Sequence, residues 1–392
     1  MKEVVIVSAV RTPIGMFQGS LSSLTAPQLG AIAIKEAIKK AGVKPEDVSE
    51  VIMGCVLPAG IGQAPARQAS IYAGIPNSVP CMTINKVCGS GLKAVMLAEQ
   101  AIKSGDAEIV VAGGMESMSN VPYYLDKARS GYKMGNQKVI DGMIHDGLWD
   151  VYNNFHMGNA AEQCATDHKI SREDQDNFAA SSYTKALNAT EDGLFKEEIV
   201  PVEITDKKGT IVVEKDEELS RVNIEKGKTL RAAFVKDGTV TAFNSSSIND
   251  GASAIVLMSA DKAKELGLKP LAKIVSQGSY AHAPELFTTA PAYAIDKVLK
   301  KAKLKVSDLD LVESNEAFSV QSCAVIKIAG LDPEKVNVNG GAVALGHPIG
   351  ASGARILTTL IHALKQRKGK YGLATLCIGG GEASAVIIEN LN

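Results

Sequence analysis

The feature that most constrains how this chain folds is a segment that occurs twice. The stretch IKEAIKKAGVKPED over residues 34–47 returns as IDKVLKKAKLKVSD over residues 295–308, with six identities at a constant offset of 261. A second pair, IVVAGGMES at 109–117 and TLCIGGGEAS at 375–384, points the same way. We therefore predict two related halves built from the same structural unit.

Short Val/Ile-rich runs alternate with longer amphipathic stretches, which is typical of an α/β protein with largely buried strands. A T-x-x-Q capping box at Thr25 and Gln28 predicts the start of the first long helix. The predicted strands cover residues 4–7, 50–53, 109–112, 254–258, 309–312, 374–377 and 385–388. The predicted fold class is α/β, with two duplicated halves packed as layered sheets and helices.

The segment between the halves has a different character. It contains the only tryptophan, Trp149, and a charged, turn-rich region over residues 207–236. Such an insertion forms either an oligomer contact or a lid over a site. We predict a first half over residues 1–118 with Cys88, an inserted loop domain over 119–249, and a second half over 250–392 with His347 and Cys377.

Charge and cysteine usage exclude several classes of protein. The 392 residues include 42 basic and 43 acidic side chains, giving a net charge of −1, so we expect neither nucleic-acid nor membrane-surface binding. No apolar run approaches the roughly 18 residues that cross a bilayer. The six cysteines form no CxxC pair and no metal-ligand spacing, which favours a reducing compartment and predicts a cytoplasmic protein.

Cys88 is the first candidate for chemistry. In VCGSGLKAVMLAEQAIKSG the apolar positions after Cys88 lie on a helical face, and Gly105 is a plausible end of that helix. Cys88 is therefore expected beside a helix N-terminus, where backbone N–H groups lower a thiol pKa and favour a nucleophilic thiolate. A buried, inert cysteine is the alternative for this motif taken alone.

The second half offers a histidine and a second cysteine in glycine-rich loops. His347, in GHPIGASGARI, suits general-base work on a thiol, and Ser352 is expected to cap the helix that follows. Cys377 ends a predicted strand before IGGGEAS, where exposed N–H groups would hold an oxyanion. Asn315 ends another strand at the same sheet edge, whereas its neighbour Glu316 is expected to be structural.

VCGSG at Cys88, NEAF at Asn315, GHPIGASGARI at His347 and CIGGG at Cys377 occur in this order across nearly the whole chain. Together they resemble the thiolase family, and the HMG at His156 is similar to a signature of its short-chain members. The resemblance implies the thiolase-like fold, with halves of the βαβαβαββ type, and oligomers that are homodimers or homotetramers.

The resemblance also implies an activity. It is acetyl-CoA C-acetyl transfer, the reversible Claisen condensation of two acetyl-CoA to acetoacetyl-CoA and CoA, or the reverse thiolysis. His347 would deprotonate Cys88, which takes up the acetyl group. Cys377 would remove a proton from the second acetyl-CoA, while His347 with an Asn315-held water, and the N–H groups of Cys88 and Gly379, would stabilise the two oxyanions. Coenzyme A thioesters are then substrates, and no cofactor or metal is implied.

The family pattern also assigns substrate-binding positions along the path of the pantetheine and nucleotide. They are Leu148, His156, Met157, Arg221, Phe234, Ser246, Phe287, Ala317 and Phe318. Phe287 stands where many relatives have methionine, as in members that accept a 2-methyl branch. Glu382, in GGGEAS, is unusual for the family.

Three other functions remain to be separated from this one. A longer-chain 3-ketoacyl-CoA thiolase is the closest, and His156 with Met157 argues for small acyl groups instead. An acyl-carrier-protein ketosynthase is disfavoured because Cys377 stands where a second histidine is expected. A non-catalytic acyl-CoA or lipid-binding relative is disfavoured because all four polar residues are retained.

Overall fold

The computed structural model describes residues 2–207 and 209–392. The first half contains β1 (Val4–Arg11), β2 (Gly15–Met16), α1 (Ala26–Ala41), β3 (Glu50–Gly54), α2 (Pro65–Tyr72), β4 (Cys81–Ile84), α3 (Ser90–Ser104) and β5 (Ile109–Ser117). The next segment contains β6 (Tyr123–Tyr124), β7 (Ile140–Asp141), β8 (Trp149–Asp150), β9 (Phe155–His156), α4 (Met157–His168), α5 (Arg172–Glu191), β10 (Val202–Asp206), β11 (Gly209–Val213) and α6 (Ile224–Gly227).

The remainder of the chain returns to long strands and helices. Its elements are β12 (Asn249–Ser259), α7 (Ala260–Glu265), β13 (Ala272–Ala281), α8 (Ala290–Ala302), β14 (Leu311–Ser314), α9 (Ser319–Ala329), α10 (Ala342–Leu345), α11 (Ile349–Arg367), β15 (Tyr371–Ile378) and β16 (Glu382–Asn390). All seven predicted strands are present, and most are longer than predicted. The helix predicted at Thr25 begins there, with the Thr25 N–H donating to Oε1 of Gln28 at 2.8 Å.

Strand pairing confirms the duplication. The main sheet runs β14-β15-β16-β13-β1-β12-β5-β3-β4, with β2 beside β12. In one half β3 pairs β5 in parallel, β5 pairs β12 antiparallel and β12 pairs β1 antiparallel. In the other half β14, β15, β16 and β13 follow the same path with the same directions. The halves meet through a short seam between β1 and β13.

This pairing moves one predicted boundary. Strand β12 lies between β1 and β5, where Ser253 faces both Arg11 and Gly114 across the sheet. The second half was predicted to start at residue 250, but residues 250–259 complete the sheet of the first half. A strand joins the sheet that satisfies its backbone hydrogen bonds, and both partners of β12 belong to the first half.

In the second repeated stretch, the glycines of the two halves occupy different structural positions, whereas the repeat predicted matching ones. Gly113 and Gly114 lie inside β5, paired with β12. Gly380 and Gly381 instead form the turn between β15 and β16, with φ of 87° and 85°. The two glycine motifs are therefore not equivalent positions, although the strands β5 and β15 are equivalent.

Helices α3 and α11 pack side by side in the centre of the molecule. Residues of both helices, such as Leu92 and Leu360, share one core with strands of both halves. Backbone contact between the helices requires glycine, since a Cβ on Gly353 would clash with the Leu92 nitrogen. Helix α1 packs on the strands of the first half and α8 on those of the second half. Among the described residues, no helix combines the length and apolarity needed to span a bilayer.

Candidate active site

A cavity of about 220 Å³ lies where α3 and α11 begin. Eleven of the predicted site residues line it: Cys88, Leu148, His156, Met157, Phe234, Ser246, Phe287, Ala317, Phe318, His347 and Gly379. They come from both halves and from the insertion. The long-range folding of the chain, rather than any local motif, therefore assembles this cavity.

Cys88 lies in a tight turn directly before α3. The N–H of Gly89 donates to the Lys86 carbonyl at 3.0 Å, and the N–H of Lys86 donates to Oγ of Ser90 at 2.8 Å. Val87 has φ of 45°, a strained value for a β-branched residue. The turn holds the sulfur at the cavity wall, ahead of the first helical turn.

The electrostatics of Cys88 differ from the prediction. Burial raises the pKa of this thiol to about 12, although the N–H groups of Gly379 and of Cys88 itself act in the opposite direction. The backbone donors expected at a helix N-terminus are present, but removal from water outweighs them. Cys88 is thus a neutral thiol at rest, and it becomes a nucleophile only when a base takes its proton.

His347 is held so that one ring nitrogen faces the cavity without a partner. The backbone N–H of His347 donates to Oδ1 of Asn249 at 2.9 Å. The preceding Gly346 has φ of 106°, and a Cβ there would lie 2.5 Å from the Asn249 side chain. Its Nδ1 lies 2.6 Å from Oγ of Ser352, which donates its own proton to the Pro348 carbonyl at 2.9 Å.

This hydrogen-bond pattern assigns the tautomer. Because the Ser352 hydroxyl proton is used on Pro348, Oγ accepts from His347, so Nδ1 carries the proton. Nε2 is then a free lone pair, and it has no hydrogen-bond partner among the described residues. Burial, and then the charge of Arg355, lower the pKa of His347 to about 3. The imidazole is a neutral base across the physiological range.

Asn315 and Arg355 stand behind the imidazole. The amide nitrogen of Asn315 is 3.5 Å from His347 Nδ1, and its oxygen is 3.4 Å from a guanidinium nitrogen of Arg355. Arg355 lies 3.7 Å from the buried carboxylate of Glu313. Asn315 is itself fully buried, so it adjoins the cavity from behind rather than lining it.

Cys377 is the second-last residue of β15 and is 1% exposed. It packs with Met157, Ala317 and Phe318, three residues of the cavity wall. Burial raises the pKa of Cys377 well above its ordinary value, and the nearby Cys88 raises it further. The two cysteines are therefore close enough for the charge of one to act on the other, and a Cys377 thiolate would be strongly basic.

The rest of the cavity wall is apolar and narrow. The rings of His156 and Phe234 stack at 4.8 Å, and Phe318 meets Phe234 edge-on at 6.1 Å. Burial lowers the pKa of His156, whose Nδ1 accepts the Gly158 N–H at 3.0 Å and so caps α4. These rings surround the reactive groups with little competing polarity.

One predicted residue lies elsewhere. Arg221 is exposed at the end of the short helical turn Glu218–Arg221, and it lines a separate open groove with Asn223, Lys226 and Phe243. The structure does not bring it to the cavity that holds Cys88. Glu316 has the structural role expected of it, since it accepts from Ser182 at 2.7 Å.

Sequence reasoning missed three residues that position the site. Ser352 was expected to cap a helix, but α11 begins at Ile349 with Pro348 as its N-cap, and Ser352 instead holds His347. The spacing of Ser352 and Arg355 in GASGAR, three apart on one helix face, was a usable signal. Asn249 carries no such signal, because it lies at the start of β12, far from His347 in the sequence.

The fold and the site define a class: an acyltransferase enzyme whose cavity is lined by a cysteine and a histidine. The chain matches the Thiolase, N-terminal domain over residues 4–261 and the Thiolase, C-terminal domain over residues 268–390. The chain belongs to the thiolase family. The N-terminal match ends just after β12, in agreement with the strand pairing.

Full-length relatives support the assignment. The chain is 57% identical over 391 residues to an acetyl-CoA acetyltransferase of Cupriavidus necator, covering 99% of this chain and 100% of the relative. It is 56% identical to a mitochondrial acetyl-CoA acetyltransferase of Bos taurus, covering 100% and 92%. The crystal structure of the Bacillus anthracis acetyl-CoA acetyltransferase superposes with a TM-score of 0.98 at 44% identity, covering 100% and 99%. A relative from Gibberella zeae, 55% identical over 390 residues, is named cytosolic.

Proposed function

We propose that this thiolase condenses two acetyl-CoA into acetoacetyl-CoA and CoA, reversibly, through an acetyl group on Cys88. One observation carries the proposal: a neutral histidine, whose Nε2 has no partner among the described residues, lines the same apolar cavity as a half-buried, protonated cysteine. A nucleophile and base of this kind suit acyl transfer from a thioester.

The first half-reaction forms the acyl-enzyme. Nε2 of His347 takes the proton of Cys88, and the thiolate attacks the acetyl carbonyl. The tetrahedral oxyanion is stabilised by the N–H groups of Cys88 and Gly379, which already approach the sulfur. When the carbon–sulfur bond to coenzyme A breaks, the leaving thiolate takes the proton of Cys377.

The second half-reaction forms the carbon–carbon bond. Cys377, now a thiolate of raised pKa, removes a proton from the methyl group of a second acetyl-CoA. Protonated His347, together with a water held by Asn315, stabilises the enolate oxygen. The carbanion attacks the acetyl group on Cys88, and the released Cys88 thiolate recovers its proton from His347. The Cys88 proton returns from His347, and the proton that Cys377 gave to CoA is replaced by the one it takes from the second acetyl-CoA. All three groups therefore end in their starting protonation states, and the scheme uses no metal or electron carrier.

The cavity walls supply the substrate contacts. Leu148, Met157, Phe234, Ala317 and Phe318 would cover the apolar parts of the acyl-pantetheine, and Ser246 and His156 would give polar contacts. Ser246 already donates to the Ala317 carbonyl at 2.9 Å, so its hydroxyl oxygen is held in a fixed position. Arg221, exposed outside the cavity, would meet the nucleotide end of coenzyme A.

The aromatic wall supports short acyl groups over long ones. Phe287 is 3% exposed and shares a cluster with Cys377 and Phe318, where a longer acyl chain would need space. This favours acetoacetyl-CoA over the longer substrates of a degradative thiolase. The thiol at Cys377, in place of a histidine, favours free coenzyme A thioesters over ketosynthase chemistry.

We also propose that the protein is a homodimer or homotetramer. Strand β4 ends the main sheet with one side unpaired, and Met82 on it is 44% exposed. Tyr123, Leu125 and Met134 in the insertion are exposed apolar residues as well. A second copy would cover both surfaces. Light scattering that shows only monomer at micromolar concentration would overturn this.

The compartment we propose is the cytoplasm. All six cysteines are free thiols in the structure, and free thiols persist in a reducing compartment such as the cytoplasm. Cell fractionation, with detection of the protein by antibody, tests this.

The activity is tested by incubating the protein with acetyl-CoA, assaying acetoacetyl-CoA, and measuring the mass of the Cys88 peptide after digestion. We expect the condensation product and an acetylated Cys88 peptide. Absence of both would overturn the proposal. Thiolysis of acetoacetyl-CoA, its 2-methyl derivative and a longer 3-ketoacyl-CoA, compared by kcat/KM, sets the substrate range, and we expect acetoacetyl-CoA to be the best.

A further inference from the structure

The unusual Glu382 has a partner in the structure. Its carboxylate forms an ion pair with the ammonium group of Lys86, across the boundary between the two halves. The side chains are 36% and 23% exposed, so the pair is partly shielded from water. Lys93, in the first turn of α3, is also close enough to feel the charge of Glu382, which acts to raise its pKa against burial and Lys86.

Both partners belong to the backbone segments that carry the proposed oxyanion donors. Lys86 is two residues before Cys88, and its carbonyl and N–H are both hydrogen-bonded within the Cys88 turn. Glu382 is the first residue of β16, directly after the Gly379–Gly381 turn, and it pairs with Ile378 at the end of β15. The ion pair therefore joins the segment of one donor to the segment of the other.

The Gly379–Gly381 turn is held more firmly at its end than at its middle. The Gly381 carbonyl accepts the His282 N–H at 2.9 Å, and a Cβ on Gly381 would meet the backbone of His282 and Ala283, whereas a Cβ on Gly380 would meet no atom within 4 Å. Gly380, with φ of 87°, therefore keeps conformational freedom directly beside Gly379. The N–H of Gly379 must nevertheless keep its direction toward Cys88, because oxyanion donors act through fixed geometry.

We propose that the Lys86–Glu382 ion pair is a positioning device that fixes the Gly379 N–H against Cys88. The inference rests on the oxyanion role given to Gly379 in the proposed function. Lys86 and Glu382 act through the backbone and are positioning residues. Their loss should lower kcat, which depends on transition-state geometry, more than it raises KM.

The test is Glu382→Gln in the full-length protein, assayed by thiolysis of acetoacetyl-CoA and by alkylation of Cys88 with iodoacetamide. Partly exposed ion pairs predict a fall of about two- to fivefold in kcat with KM little changed. Cys88 alkylation should slow by a similar factor, since the Gly379 N–H favours the thiolate. About 1 M salt should lower the wild-type kcat toward that of the variant and leave the variant nearly unchanged.

A matched control lies on the same strand. Glu389, at the far end of β16, pairs with Lys273 at 2.9 Å with side chains 20% and 26% exposed. Glu389→Gln should leave kcat, alkylation and salt dependence at wild-type values. The exchange Lys86→Glu with Glu382→Lys should restore kcat toward wild type, whereas Glu382→Lys alone should be worse than Glu382→Gln.

The outcomes separate this inference from the proposed function. Wild-type kcat and wild-type alkylation in Glu382→Gln would overturn the positioning role while leaving the thiolase activity intact. Equal losses in Glu382→Gln and Glu389→Gln would also overturn it, because they would show a general effect on β16. If the wild type cleaves no acetoacetyl-CoA, the proposed function fails, and the alkylation rates alone decide for or against the ion pair.

Discussion

The two halves share one topology but contribute differently to the site. In the first half, the segment before α3 presents Cys88 at the cavity wall. In the second half, the segment before the equivalent helix α11 presents His347, while the end of β15 supplies Cys377 and Gly379. The first half would thus hold the acyl group, and the second would provide the bases and a donor.

Helices α3 and α11, which follow these two segments, also differ in how deeply they are buried. Helix α11 is buried along nearly its whole length, whereas α3 has partly exposed positions such as Lys93. Burial removes water from His347 and lowers its pKa to about 3. A duplicated fold can therefore place unlike chemistry at matching positions, and the deeper position keeps a histidine neutral.

The largest expected effect comes from the nucleophile. Cys88→Ala should reduce kcat for thiolysis of acetoacetyl-CoA by at least about 10⁴-fold, because covalent catalysis is lost. Cys81→Ala is the matched control, since Cys81 is a partly exposed cysteine of the same half that does not line the cavity. Steady-state kinetics distinguish them. Activity retained in Cys88→Ala would remove the acyl-enzyme from the account.

The base in the second half should matter nearly as much. His347→Asn should lower kcat by about 10² to 10⁴-fold, the usual range for a general base. The pH dependence of Cys88 alkylation tests the role of His347 more specifically than the loss of kcat does. In the wild type, iodoacetamide alkylation of Cys88 should vary little between about pH 6 and pH 9, since His347 is neutral throughout this range and takes the thiol proton as the sulfur attacks.

In His347→Asn, the proton of the Cys88 thiol must go to solvent before the sulfur can react. Because the pKa of Cys88 is about 12, the alkylation rate should rise about tenfold per pH unit over the same range. A rate in the variant that is independent of pH would contradict the assignment of His347 as the base.

A smaller effect is expected from the residue that orients His347. Ser352→Ala removes the 2.6 Å contact to Nδ1 and should lower both kcat and Cys88 alkylation by about two- to tenfold, the worth of one hydrogen bond. Ser322→Ala is the control, since that buried hydroxyl has no hydrogen-bond partner in the described part of the chain. If both variants lose activity equally, the effect of Ser352 is structural.

A further effect is on stability rather than on activity. The folded pKa of His347, about 3, lies below the ordinary value of about 6.5, so the unfolded chain binds an extra proton between these values. The free energy of unfolding should therefore fall as the pH drops through this window, by up to about 1.4 kcal/mol per unit. Denaturation at several pH values should show a shallower dependence in His347→Asn. Replacement of the exposed His145 should leave it unchanged.

Much of the fold was predictable because periodicity reports burial. The seven strands and the duplicated helices follow from local apolar patterns. The missed strand β13, AKIVSQGSYA, mixes buried and half-buried positions and has no continuous apolar run. The boundary at residue 250 was misplaced because pairing of β12 with β1 and β5 is a long-range choice.

The site was predictable where motifs carry it. Cys88, His347 and Gly379 reach one cavity as their motifs suggest, while the raised pKa of Cys88 did not follow from its place before a helix. The local sequence predicts the backbone N–H donors near Cys88. It does not predict the burial of the thiol, which depends on distant segments that pack against it. Asn249 and Arg355 act from distant elements for the same reason, and Glu382 had no explanation until its partner Lys86 was seen.

The division of labour between the halves is tested most directly by Cys377→Ala incubated with acetyl-CoA. We measure acetylation of the Cys88 peptide by mass and acetoacetyl-CoA in the same sample. We expect acetyl-Cys88 to accumulate, more slowly than in the wild type because the leaving CoA thiolate must take its proton from solvent. Condensation should fall to background, because the base that removes the methyl proton of the second acetyl-CoA is lost. Continued formation of acetoacetyl-CoA at the wild-type rate would contradict it.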